Sequence, residues 1–257
     1  MYTFGKINYN GVFVLNRQRV MNGSWALLPK SAKAVLPILL YHRDQQGKAF
    51  PSEPRIAIMS GVSEKTARSG IKALIDDGWI TADKYTTTYG NQSYKYFLPA
   101  PSNAKGSQVI LRKSIIEGGN WSMLKPTGKS LYIAIICNSE YDSNDGDNFK
   151  DREWGYCFKS IYDMARLAGI TTESLNSAMN SLNECELIEK DGDLLKVFFE
   201  AAHNYKQDFL NERVNKSFGY LIKKRETKGL AKLHLTKQTH NQNLEQKNKD
   251  NAYGPPF

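Results

Sequence analysis

AFPSEPRIAIMSGVSEKTARSGIKALIDDGWI, residues 49–80, holds two helix starts and two helix stops in one short span. Ser52 reads as an N-cap, with Pro54 in the first turn, where a missing N–H costs no intrahelical bond. Ile56, Ala57 and Met59 are the expected buried residues of that first helix. Gly61 ends it, because the reversal there favours a residue that tolerates positive φ. Val62 is placed to plug the corner. Ser63 opens a second helix, its hydroxyl accepting a first-turn N–H. Thr66, Ala67, Ile71, Leu74 and Ile75 form the expected inner face of this helix, leaving Glu64, Lys65, Arg68, Ser69 and Lys72 outside. Gly78 stops it. Helix, glycine turn, helix at this spacing is the helix-turn-helix pattern.

The flanks extend the unit. Ile80–Tyr85 and Ser93–Leu98 are β-prone runs on either side of a polar turn at Thr86–Gln92, the signature of a hairpin. A hairpin behind the second helix makes the unit a winged helix. Its wing carries Lys84, Tyr89, Tyr94 and Lys95 around Gly90 and Asn91. Upstream, Tyr9–Leu15 reads as a short strand. Ser31 is the expected cap of a helix whose stripe is Ala34, Val35, Ile38, Leu39 and Leu40. Pro37 falls inside that stripe and is expected to kink or shorten the helix. Asp44–Lys48 reads as a polar turn with Gly47.

The chain then says the same thing again. At an offset of 96, Leu15, Arg17, Val20, Gly23, Trp25, Leu28 and Lys33 face Leu111, Lys113, Ile116, Gly119, Trp121, Leu124 and Lys129. At an offset of 108, Phe50, Ser52, Ala57, Gly61, Val62, Ser63, Thr66, Ser69, Leu74 and Ile80 face Phe158, Ser160, Ala165, Gly169, Ile170, Thr171, Ser174, Ser177, Leu182 and Ile188. The second copy therefore holds 12 additional residues (108 − 96) between about Asn138 and Trp154. Two copies of one domain is the reading that organises the rest.

The expected fold is mainly α with small β wings, an α+β chain of two tandem winged-helix domains. Its expected organisation is winged-helix domain 1 at 8–98, a Pro/Gly/Ser-rich linker at 99–107 and winged-helix domain 2 at 108–200. A basic helical extension at 201–235 and a disordered, Gln/Asn/Lys-rich tail at 236–257 complete it. At 257 residues, the length suits two domains plus extensions.

Charge separates the copies. Residues 1–100 hold 13 Lys+Arg against 6 Asp+Glu, residues 101–200 hold 11 against 15, and residues 201–257 hold 11 against 5. A net charge of +9 points to an acidic partner such as nucleic acid, with plain solubility as the alternative. The basic character lies in the first copy and the tail. Where the first copy has Lys65, Arg68 and Lys72, the second has Glu173, Asn176 and Asn180. Its outer face is Thr172, Glu173, Asn176, Ser177 and Asn180, with an Asp191-Gly192 turn in its wing.

The chemistry of DNA recognition follows from these faces. A helix fits the major groove, and its outer residues meet base edges and phosphates. Arg68 suits a bidentate contact to guanine; Lys65 and Lys72 suit phosphates, as do Ser63, Ser69 and the N-terminal amides. Lys84, Asn91, Tyr94 and Lys95 are the candidate wing contacts. Thr172, Asn176 and Asn180 are the candidates of the second copy, where asparagine can read adenine but no cation neutralises phosphate. A dimerisation or partner-binding surface is the equal alternative for that second face.

Other chemistry is missing. The four histidines are scattered, the three cysteines match no ligand spacing, and no phosphate-cradling loop precedes a Lys-Ser/Thr pair. Gly146 in the inserted acidic loop would need Tyr141 and Arg152 at calcium-ligand positions, so the EF-hand pattern fails. No enzyme, cofactor or metal is expected. MYTFGKINYN lacks the pattern of a secretory signal, no apolar run reaches membrane-span length, and sparse cysteine fits a cytoplasmic protein.

Leu15, Gly23-Ser24-Trp25, Leu28, Ser31 and Lys33, followed by Phe50-Pro51-Ser52 and Gly61-Val62-Ser63-Glu64-Lys65-Thr66, resemble the winged-helix domains of plasmid and phage replication initiators. The resemblance covers roughly residues 10–200. It implies tandem winged helices that bind iterated origin sites in double-stranded DNA, help open the duplex and often repress their own gene. Host replication proteins and a homodimer are the further partners this reading admits. The acidic second recognition helix departs from two equal DNA readers. A transcriptional repressor is the alternative within the class, and a tandem winged-helix protein-interaction scaffold the alternative outside it.

Overall fold

The computed structural model describes residues 11–86, 90, 92–99, 107–141 and 154–199. The chain divides into two compact units, Met1–Leu210 and Asn211–Phe257, and every described residue belongs to the first. The expected basic extension at 201–235, the tail at 236–257, most of the linker and the inserted loop at 142–153 lie outside the described residues.

The chain opens with strand β1 (Val12–Asn16) and two short helices, α1 (Arg17–Met21) and α2 (Ser24–Leu27). Asn16 caps α1 through its side chain, which accepts from the Gln18 and Arg19 amides. Helix α3 (Lys30–Tyr41) follows, then β2 (Lys48–Ala49), α4 (Glu53–Ser60) and α5 (Glu64–Asp76). Strands β3 (Thr81–Thr86) and β4 (Gln92–Phe97) form the hairpin, and β2 joins it on the β4 side. The second half runs β5 (Gln108–Arg112), α6 (Ser114–Glu117), α7 (Asn120–Met123) and α8 (Pro126–Cys137). It continues with β6 (Ser139–Tyr141), β7 (Trp154–Cys157), α9 (Ile161–Ala168), α10 (Thr172–Glu184), β8 (Ile188–Asp191) and β9 (Leu194–Phe198). Strands β6 and β7 flank the inserted loop and widen the second sheet to four strands, ordered β6-β7-β9-β8.

Local rules account for the helix-turn-helix. The Ser52 hydroxyl accepts from the Arg55 amide and that of Ser63 from the Thr66 amide. Gly61 takes a left-handed φ of 67° at the end of α4. Ala67, Ile71 and Leu74 are buried. Ile75, expected on the inner face, is instead 38% exposed. Gly70 takes the buried place, because α5 passes so close to α3 that a Cβ there would lie 2.5 Å from the Ser31 carbonyl oxygen.

Two expectations for α3 are corrected. Ser31 is not its cap: the helix starts at Lys30, with Pro29 as an extended N-cap that makes no side-chain bond. Nor does Pro37 shorten it. The helix continues to Tyr41, and Leu36, Ile38 and Leu39 around the proline are buried. Burial of these side chains, roughly 1.5–3 kcal/mol each, outweighs the ~3 kcal/mol cost of an internal proline. Strand β1 covers Val12–Asn16, the expected start at Tyr9 lying outside the described residues, and β3 begins at Thr81, with Trp79 and Ile80 buried in the connection.

Most buried hydrophobic residues of both halves belong to one core cluster. Strands β1 and β5 pair antiparallel, with Val14 opposite Ile110. The Trp25 indole donates to the Ser130 carbonyl at 3.2 Å, and the Trp121 indole donates to the Ala34 carbonyl at 2.9 Å. Both indoles are fully buried. At roughly 150–250 Å² each, their burial contributes several kcal/mol, more than the ~1 kcal/mol of either hydrogen bond. The indole N–H bonds therefore fix orientation, while the ring area supplies the stabilisation. Glycines set the approach at two more reciprocal points. A Cβ on Gly61 would lie 1.9 Å from the Ser122 carbonyl oxygen, and one on Gly169 would lie 2.1 Å from that of Ala26.

Lys33 closes this contact. It is 1% exposed, and its ammonium donates to the Ala26 carbonyl at 3.1 Å and to the Ala168 carbonyl at 2.7 Å. The second of these carbonyls ends α9, where partial negative charge favours a cation. Burial, with a smaller contribution from Lys30, pulls the Lys33 pKa down to about 8. Lys129 is buried likewise and donates to the Leu124 carbonyl.

Candidate nucleic-acid interface

Helix α5 presents Lys65, Arg68, Ser69 and Lys72 to solvent, and Ala67, Gly70, Ile71 and Leu74 to the core. The 3.6-residue period does this: the basic residues recur at i, i+3 and i+7, one side of the helix. Ser63 holds the N-cap, its hydroxyl also bonded to the Thr66 hydroxyl at 2.8 Å. Acids accompany two of the cations. Arg68 donates from Nε to Glu53 Oε2 at 2.5 Å and from Nη2 to Glu64 Oε2 at 3.2 Å. Lys72 pairs with Asp76 at 2.6 Å, one turn along. The hydrogen bond and charge of Glu53, with the charge of Glu64, raise the Arg68 pKa further. Among the described residues Lys65 has no ion-pair partner.

The hairpin sorts its candidates by face. Lys84 pairs with Tyr94 and Asp83 with Lys95, so Lys84 and Tyr94 share one face and Lys95 lies on the other. The first of these faces carries Tyr96, which is buried, and the Tyr94 ring stacks on it at 6.2 Å. The Lys84 ammonium lies 5.9 Å from the Tyr94 ring centre, and the Lys95 ammonium 5.5 Å from that of Phe97. Tyr94 is thus largely committed to packing. Asn91 and Tyr89 lie outside the described residues.

On α10, Thr172, Glu173, Asn176, Ser177 and Asn180 are exposed, while Leu175, Ala178 and Leu182 are buried. A hydrogen bond from the Thr171 hydroxyl holds the Glu173 carboxyl below its usual range. A cation does reach this helix from elsewhere. Lys125, in the turn before α8, places its ammonium 3.5 Å from the Ser177 hydroxyl. Neither Lys125 nor Glu53 was recoverable from the helix it serves, since each comes from a different element. The repeat offset was no guide either, because Pro29 stands where Lys125 does.

Residues 26–80 match a helix-turn-helix domain family, so the span from the end of α2 through α5 is a helix-turn-helix domain. The match covers about a fifth of the chain. No curated protein and no solved structure gives a significant match. Among the described residues no helix is long and apolar enough to cross a membrane.

Proposed function

We propose that this protein binds double-stranded DNA in a sequence-specific way and initiates replication of a plasmid, phage or other mobile element. The observation that carries the reading is the α5 face: Lys65, Arg68, Ser69 and Lys72 exposed along the second helix of a helix-turn-helix domain, with its apolar side buried. Such a helix lies in the major groove, its charges meeting phosphate and its fork-shaped guanidinium meeting base edges.

In this reading the two halves are winged helices joined as an intramolecular dimer. The reciprocal contacts of Trp25 with Ser130 and of Trp121 with Ala34 support it. A two-fold relation between helix-turn-helix units matches the relation between DNA half-sites. The α10 face, with Glu173, Asn176 and Asn180 in place of cations, favours a second reading for that half, a surface for a protein partner. No catalytic role is assigned.

Selection of bound sequences from a random duplex pool tests the DNA reading. The expected result is enrichment of one defined site. A pool that stays random would overturn it. Replication of a plasmid carrying this gene and its flanking DNA tests the initiator role. Failure to replicate, together with binding at a promoter, would make the protein a repressor.

A further inference from the structure

The α5 face carries acids where a phosphate-binding surface would be expected to exclude them. Glu53 and Glu64 are each the first residue of a helix, α4 and α5, and both reach Arg68. Their side chains are 25% and 41% exposed, and that of Arg68 is 56% exposed. Facing a duplex, two carboxylates lower non-specific affinity, because they repel phosphate and neutralise the one arginine of the face.

The geometry explains what the acids achieve. A guanidinium has two edges that can make paired bonds. One is formed by Nε and Nη2, the other by the two Nη atoms. Glu53 takes Nε and Glu64 takes one N–H of Nη2, so two acids from two helices hold the guanidinium. The N–H groups of Nη1 and the second N–H of Nη2 are left for another acceptor, such as O6 and N7 of a guanine. Two anchors on different helices also restrict a long side chain that would otherwise lose rotamer freedom on binding.

The second half supplies an independent comparison. At the offset of 108, Glu53, Glu64 and Arg68 are replaced by Ile161, Thr172 and Asn176. All three members are absent together, as expected of a unit whose acids serve the arginine.

We propose that Glu53 and Glu64 set the sequence specificity of the α5 face by clamping Arg68 from two helices, so that its remaining N–H groups read one guanine. This rests on the DNA-binding reading above. Glu53 and Glu64 are positioning residues and Arg68 is the reader. Lys65 and Lys72 supply affinity that does not depend on sequence.

The test uses the full chain and the duplex selected from the random pool. Affinities are measured for that duplex, for each of its single base-pair substitutions and for random duplex, across a salt series. In the wild-type chain, one G·C pair is expected to contribute about ten-fold discrimination or more. Arg68→Lys keeps the charge and loses the fork, so it abolishes discrimination at that pair and leaves the salt slope unchanged. Glu53→Gln and Glu64→Gln reduce discrimination at the same pair several-fold and raise affinity for random duplex. Thermal unfolding of each variant identifies any that fails to fold. If Arg68→Lys removes discrimination but Glu53→Gln and Glu64→Gln do not, the clamp is overturned and Arg68 reads alone. If no pair responds to Arg68→Lys while the wild type still selects a site, the clamp and reader assignments fall but DNA binding stands. If the wild type binds no duplex in a salt-dependent way, the DNA-binding reading itself fails.

Discussion

Val14 lies directly across the β1–β5 pair from Ile110, the residue 96 positions later. Each strand thus pairs with the stretch that aligns with it at that offset, about a point between these two side chains. The reciprocal glycine contacts extend the same relation. Gly61 meets Ser122, and Gly169 meets Ala26.

Replacing either glycine by alanine should therefore cost far more than positive φ alone. For Gly61→Ala and Gly169→Ala the expected loss is on the order of 3 kcal/mol or more, since backbone must shift in addition to the strain. Gly192→Ala is the control: its φ is +58° and nothing lies within 4 Å of an added Cβ. It should lose only about 1–2 kcal/mol. Urea denaturation measures all three, and equal losses would show that the close approach carries no energy.

Lys33 should make stability rise with alkaline pH. Its folded pKa, about 8, lies below the ordinary 10.5, so between those values the unfolded chain binds more protons. The folded state gains as pH rises through that window, by a few kcal/mol at most. Lys33→Met should remove this rise, and it should also destabilise by about 1–3 kcal/mol, leaving the Ala26 and Ala168 carbonyls unpaired. Urea midpoints compared between pH 7.5 and 10 would reveal the difference.

His42 acts on the acid side. Burial first, then Arg55 and Lys113, lower its pKa to about 4 from 6.5. Its ring is half-buried at the end of α3, with Nε2 3.4 Å from the Met59 sulfur. Here too the unfolded chain binds more protons between the two values, so this contribution is complete above pH 6.5 and is lost as pH falls to 4. His42→Gln should flatten the stability profile in that window, as read by thermal unfolding.

The charges of α5 should appear in the salt dependence of duplex binding. Lys65→Ala and Lys72→Ala should each lower the slope of log affinity against log salt by about 1. The double variant Arg68→Ala with Lys72→Ala should weaken duplex binding and flatten the slope. Gel-shift titrations at several salt concentrations report this, and unchanged affinity would remove α5 from the interface.

Much of the helix-turn-helix was legible because its signals are local. Ser52, Gly61, Ser63 and Gly78 act within a turn of their own positions, and a cap or a left-handed residue needs no distant partner. The alternation of Ala67, Ile71 and Leu74 with Lys65, Arg68 and Lys72 is likewise a property of one helix. Legibility failed where a neighbour decided. Gly70, rather than the expected Ile75, is buried because α3 passes close to α5. Helices α1 and α2 are too short to show a period, so Trp25 could be matched to Trp121 in sequence without its partner carbonyl being visible.

What the residues settled on their own is the helix-turn-helix and the unequal charge of the two halves, since both depend on spacing of a few residues along the chain. What awaited the tertiary structure is the use of Lys33, Glu53 and Lys125. A lysine in an apolar stripe is buried only because carbonyls of Ala26 and Ala168 converge on it. Glu53 reaches Arg68 only because the turn folds α4 against α5. Hydrogen bonds and ion pairs need groups within about 3 Å, and distance along a chain does not specify distance in space.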